Sequence, residues 1–178
     1  LACEKPGGWK FFSDKFIVDD IKFDFEVINP YNGALKKSFQ AGLIADMTIG
    51  GAPIEVGGRF PEQCIFVQLQ PDQVMHLTDV LKSFDVLLPE GFPKIDISTL
   101  SFIFYVPNNS FNFQIGITKS IPISGNVSLD NFYFQIQADH TPQGAIDASG
   151  VLNTQFSIGP TTIMLNGNYE SSGVSTIY

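Results

Sequence analysis

The strongest constraint on this chain is that it repeats itself. Leu43 to Phe60 (LIADMTIGGAPIEVGGRF) lies over Leu152 to Tyr169 (LNTQFSIGPTTIMLNGNY) without a gap. Leu43, Ile49, Gly50, Ile54 and Gly58 face Leu152, Ile158, Gly159, Ile163 and Gly167; Met47 faces Phe156, Val56 faces Leu165, and Phe60 faces Tyr169. The shared positions are turn glycines and alternate apolar residues, which is the pattern of a β-hairpin and not of a reaction centre. Self-similarity at a fixed distance marks a repeat architecture, so the chain is read first as related units.

The rest of the sequence supports strands. Ile21, Phe23, Phe25 and Val27 alternate with Lys22, Asp24 and Glu26, the period of a strand with one buried face. Leu100, Phe102, Phe104 and Val106 keep that spacing, as do Phe132, Phe134, Ile136 and Ala138. Each run follows a similar lead-in (IVDDI, DISTL, VSLDN) and ends in turn-forming residues at Asn29–Gly33, Pro107–Asn109 and His140–Gly144. Partner strands are expected at Ser38–Met47, Phe111–Thr118 and Ala145–Phe156, with further strands at Ile65–Leu69 and Val174–Tyr178. Gly8 to Phe12 reads as a stray copy of that last strand.

One segment departs from this period. From Asp72 to Phe84, Val74, Leu77, Val80, Leu81 and Phe84 recur at helical spacing, with Asp72 placed as N-cap. Pro89 and Pro93 then close the helix, and Leu81 and Phe84 are expected to be buried against a sheet. The expected fold is mainly β. Two related antiparallel hairpin or meander units, residues of about 9–70 and about 95–178, form a sandwich or barrel-like body with one connecting α-helix at about 72–85.

The segment HLTDVLKSFDVLLPEGFPKIDISTLSFIFYVPNNSFNFQIGI, with TIGGAPIEVGGRF and GGWKF, resembles β-rich modules found in tandem in large fungal and bacterial proteins. Those modules carry a short Leu-rich helix, a Leu-Pro-x-Gly-x-Pro stretch and a Leu-x-Phe-x-Phe strand. The resemblance implies an architecture and brings no activity with it.

A formal net charge of −8, with only 10 Lys and Arg, argues against nucleic acid and against an anionic membrane surface. Charges, Gly or Pro interrupt every apolar run before the roughly 18 residues of a membrane helix, so no membrane insertion is expected. The first residue is Leu and no signal-peptide pattern follows it, which reads as a processed or excised product. Cys3 and Cys64 are too few for a disulfide framework or a Cys-based zinc site; they form one bridge or stay as two buried thiols. Asn108 and Asn126 each head a glycosylation acceptor pattern, and with a Cys3–Cys64 bridge they favour an extracellular or cell-surface location.

Candidate sites are few. His76 and His140, the only imidazoles, lie in no hydrolase or zinc motif and read as structural or exposed; no cofactor is implied. Asp14, Asp19, Asp20 and Asp24 are the densest acidic group and a weak calcium candidate, although Asp20 and Asp24 share a strand face with Lys22. Trp9, Tyr31, Tyr105, Tyr133 and Tyr169 are the candidate ligand contacts, since aromatic faces pack on sugar C–H groups. The expected function is a non-enzymatic structural or interaction module whose partners are other copies of itself or flanking modules of a longer parent. A carbohydrate-binding module using the aromatics is the alternative, and an enzyme assembled from scattered acids ranks last.

Overall fold

Alternation of apolar and polar residues produces strands almost everywhere it occurs. The computed structural model describes residues 2–10, 16–28, 37–140, 145–171 and 176–177. Its strands are β1 (Ala2–Lys10), β2 (Phe16–Ile28), β3 (Ser38–Ile49), β4 (Ala52–Phe60), β5 (Cys64–Leu69) and β6 (Met75–His76), followed by helix α1 (Leu77–Ser83). Then come β7 (Asp96–Tyr105), β8 (Ser110–Ile117), β9 (Ile121–Ser124), β10 (Val127–His140), β11 (Ile146–Ile158), β12 (Thr161–Glu170) and β13 (Thr176–Ile177). All belong to one antiparallel sheet in the order β1-β2-β3-β4-β5-β7-β8-β10-β11-β12-β13, with β6 beside β7 and β9 beside β10. Strand follows neighbouring strand throughout, a meander built from local pairings.

The sheet is not closed, and no second sheet stacks on it among the described residues. The mainly β expectation with one connecting helix holds, and the described strands pair as one open sheet. The β3–β4 and β11–β12 hairpins lie in this sheet with the same register. In the β3–β4 hairpin Leu43 pairs with Gly58 and Met47 with Ile54. In the β11–β12 hairpin Leu152 pairs with Gly167 and Phe156 with Ile163. Gly50 and Gly159, at matching turn positions, have φ of 57° and 58°, a conformation that glycine adopts without a Cβ penalty.

The correspondence extends to the strands that precede the hairpins. Strand β2 pairs Val18 with Met47, skips Asp19, then pairs Asp20 with Asp46. Strand β10 pairs Leu129 with Phe156, skips Asp130, then pairs Asn131 with Gln155. Both are β-bulges centred on an aspartate, at equivalent places. Thr48 Oγ1 donates to Asp19 Oδ2 at 2.8 Å, and the equivalent Ser157 hydroxyl donates to Asp130. Asp130 also accepts from Ser128 and Ser120, and these hydroxyls hold its carboxyl below the usual range, Ser128 first and Ser157 next. A third bulge falls at Ser98, where β7 pairs Ile97 with Ile117 and then Thr99 with Gly116. The three lead-ins IVDDI, DISTL and VSLDN are thus three bulges.

Pairing fixes which residues share a face, because cross-strand partners point the same way. One face carries Phe23, Phe25, Phe39, Leu43, Ile54, Val56, Ile65, Val67, Phe102, Phe113, Phe134, Leu152 and Leu165. Among the described residues of β2 to β12 it holds no Asp, Glu, Lys or Arg. The opposite, polar face holds Lys22, Asp24, Glu26, Asp46, Glu55, Arg59, Asp139, Asp147 and Glu170. It has one apolar island, where Phe66 is buried over Gly57, Arg59 stacks 4.8 Å from the Phe66 ring centroid, and Ile103 pairs alongside.

The core occupies only one end of the apolar face. Ala52, Ile54, Leu69, Met75, Ile97, Ile117 and Ile121 are buried there, with Leu77 and Val80 of α1 packed against them. The helix differs from its expectation. It spans seven residues, starts after His76, and buries none of its side chains completely. Asp72 is not its cap: Asp72 sits at φ 59°, in a turn that Gln73 N closes on Gln70 O. Met75 then pairs with Ile97, so sheet hydrogen bonds claim the residues that helical spacing had assigned to a first turn. Phe84 is exposed and Leu81 half-buried; Leu77 and Val80 face the core in their place.

Candidate functional surface

Away from α1, the apolar face is uncovered over its outer strands β2–β4 and β11–β12, although Ala138 on the central strand β10 is buried. Phe25 and Ile146 are each 60% exposed and Leu43 is 56% exposed, although the period-2 pattern marked Phe23, Phe25 and Val27 as a buried face. Ile54 and Ile97, on the same face at the helix end, are each 3% exposed. Phe39 stacks on Phe60 with ring centroids 4.7 Å apart, and Phe25 leans on Phe39 at 6.0 Å. These rings give one another partial cover across β2, β3 and β4.

Two depressions lie in this surface, and the repeat relates them. The first, about 380 Å³, is lined by Phe23, Ala41, Leu43, Gly58, Phe60 and Ile65 among others. The second, about 340 Å³, is lined by Phe134, Gly150, Leu152, Gly167 and Tyr169 among others. Phe23, Ala41, Leu43, Gly58 and Phe60 correspond one for one to Phe134, Gly150, Leu152, Gly167 and Tyr169 by strand register. Each floor is a cross-strand Leu–Gly pair. The missing glycine side chain makes the hollow, and the aromatic rings make its walls.

The candidate aromatics do not converge on one surface. Tyr105 and Tyr133 lie on the polar face, on β7 and β10 with β8 between them. Trp9 pairs with Val18 and Tyr169 with Gly150, both on the apolar face at opposite sides of the sheet. Tyr31 lies outside the described residues. Tyr133 donates to Gln135 Oε1 at 2.9 Å along its own strand.

The acidic group is likewise divided, and Asp14 lies outside the described residues. Asp19 is engaged with Thr48, while Asp20 and Asp46 flank Lys22 at 3.3 and 2.6 Å. The pKa of Lys22 is in turn raised by Asp46 first and Asp20 second. Cys64 is a buried free thiol. The side chain of Cys3, the other half of the possible bridge, lies outside the described residues. Asn108 and Asn126 both sit on exposed turns, and Asn108 Oδ1 accepts from Ser110 Oγ at 2.9 Å.

A polar cleft also went unread in the sequence. A cleft of about 540 Å³ beside α1 is lined by His76, Lys82, Lys94, Asp96 and Lys119 among others. Asp96 binds Lys119 Nζ at 2.7 Å and His76 Nδ1 at 2.8 Å; Lys119 first and His76 next hold its carboxyl below the usual range. A carboxylate orienting an imidazole is half of a hydrolase arrangement, but the second oxygen of Asp96 is taken by Lys119. His140 instead bonds Asn109 O at 2.8 Å and ties the end of β10 to the β7–β8 turn. Comparison with family models, with curated proteins and with solved structures gave no match.

Proposed function

We propose that the chain is an interaction module with no chemistry of its own, which works by presenting an apolar sheet face and joins its neighbours through strand edges. One observation carries this reading. The charged side chains of a broad open sheet are gathered on one face, while the other face is apolar and leaves Phe25, Leu43, Ile65 and Ile146 more than half in water. Monomeric soluble proteins rarely leave a large contiguous apolar patch in water without a use for it. Strands β1 and β13 each pair on one side only among the described residues, and an unpaired edge takes up further strands. Other copies of the chain, or flanking modules of a longer parent, would extend the sheet and lengthen its apolar face. An extracellular or cell-surface setting fits the exposed acceptor turns at Asn108 and Asn126.

Sedimentation velocity at micromolar concentration tests the joining step. Species larger than the monomer, growing with concentration, are expected; a clean monomer across that range contradicts it.

A further inference from the structure

We infer that copies of this chain join head to tail: β1 of one copy lies along the outer edge of β12 of another, in line with its β13, and the two pieces together make one strand equivalent to β5. This rests on the edge-joining reading above and fixes its partner, place and register.

Strand β5 sets the pattern. It lies between β4 and β7, pairing with β4 from Arg59 back to Ile54 and with β7 from Tyr105 back to Ser101. Strand β13 starts the same way on β12. Thr176 pairs with Asn168 and Ile177 with Gly167, as Cys64 pairs with Arg59 and Ile65 with Gly58. Further along β12, Leu165, Met164 and Ile163 have no ladder partner on that side among the described residues. They correspond to Val56, Glu55 and Ile54, which β5 pairs, and they are 41%, 64% and 41% exposed.

Strand β1 supplies the missing half. Lys22 and Ser101 are equivalent, because each is the third residue after its bulge, at Asp19 and Ser98. Ala2 pairs with Lys22 and Gln68 with Ser101, so Ala2 corresponds to Gln68 as Ile177 corresponds to Ile65. Phe66 and Val67 separate Ile65 from Gln68; Tyr178 and Leu1 separate Ile177 from Ala2 of a following copy. The two pieces meet without gap or overlap, although their registers are set independently at opposite sides of the sheet.

Joining closes two open ladders at once. Strand β1 pairs with β2 only from Ile17 to Lys22, so among the described residues the backbone of Phe25 and Glu26 has no ladder partner on that side. Their counterparts Phe104 and Tyr105 pair with Ile65 and Cys64, and in joined copies Ile177 and Thr176 take those places. On the β12 side Ala2 falls opposite Met164, as Gln68 falls opposite Glu55. Ala2 shares the polar face with Lys22, and Met164 holds the position of Glu55 on that face, so the apolar faces of successive copies run on. Main-chain hydrogen bonds at an open edge give strand addition its affinity. Because the two edges differ, the contact is heterologous and repeats from copy to copy.

Oxidative cross-linking tests this register. In a Cys3→Ser background, Ala2→Cys chains are mixed with Met164→Cys chains at micromolar concentration. Cross-strand neighbours have Cα atoms about 4.5–5.5 Å apart, within reach of a disulfide. Ala2 and Met164 are both exposed, so neither substitution opens a cavity. A covalent dimer is expected in the mixture, and a ladder of multimers from a chain that carries both cysteines. Leu165→Cys in place of Met164→Cys is the register control: its side chain points to the other face, and the dimer should be lost. If circular dichroism shows either variant unfolded, Thr176→Cys with Glu26→Cys tests the same register.

No dimer from a folded pair, or as much dimer with Leu165→Cys, overturns the inference. Sedimentation of the wild type separates it from the broader reading. Assembly without this cross-link defeats the head-to-tail register alone, and a clean monomer defeats edge joining with it.

Discussion

The two ends of the apolar face come from the same strands and the same alternation, yet they have opposite fates. Near α1, Ile54, Ile97 and Ile117 are 3–5% exposed and pack beneath Leu77 and Val80. Toward the other end, β2 continues through Phe23 and Phe25, and β3 through Leu43, with about half their surface in water. A single sheet needs a covering layer to bury a face, and the seven-residue helix covers one end only. A period-2 run therefore reports that a face is apolar. It does not report that anything lies on it.

Substitutions along one face sharpen this contrast. Ile97→Ala is expected to cost about 2–5 kcal/mol in chemical denaturation, because it opens a cavity in the packed end. Leu43→Ala, at 56% exposure, is expected to cost no more than about 0.5 kcal/mol. Equal costs would mean that the far end is covered after all.

The adjacent glycines of β4 give a second comparison. A Cβ on Gly57 would come 2.7 Å from Leu43 O and 2.6 Å from the Phe66 ring, so Gly57→Val should cost about 1–3 kcal/mol by overpacking. Gly58→Val faces the open hollow and should be neutral within about 0.5 kcal/mol. Paired thermal melts decide between these outcomes.

The smallest expected effect separates the two bulges. Asp130 takes three hydroxyls where Asp19 takes Thr48, so Asp130→Asn should lower the unfolding midpoint more than Asp19→Asn. Both Asp130 and Asp96 have depressed folded-state pKa values. Their contribution is fully present above the unfolded carboxylate value of about 4 and is lost as pH falls through the lower folded values. Urea midpoints measured downward from pH 5 should therefore fall less steeply in Asp130→Asn than in the wild type. Identical slopes would remove the bulge carboxylate from the account.

Much of this fold was legible in the residues. The gapless repeat gave both hairpins and their common register, and the three similar lead-ins mark the three bulges. The aligned Leu43/Gly58 and Leu152/Gly167 pairs already contained the twin hollows, but only register shows that each Leu stands opposite its Gly. The helix start was misread because Val74 and Leu77 keep helical spacing while Met75 and His76 satisfy their backbone in the sheet. The cleft around Asp96 joins residues distant in sequence, so no local pattern announces it. Closure was also beyond reach, since alternation is the same in an open sheet and a barrel.

The most direct test of an uncovered apolar face is thiol labelling in the native state. In a Cys3→Ser background, Leu43→Cys and Leu152→Cys are each labelled in dilute protein, with Cys64 as the buried internal standard. Both introduced thiols should react far faster than Cys64. Introduced thiols that react as slowly as Cys64 in the dilute protein would contradict the account.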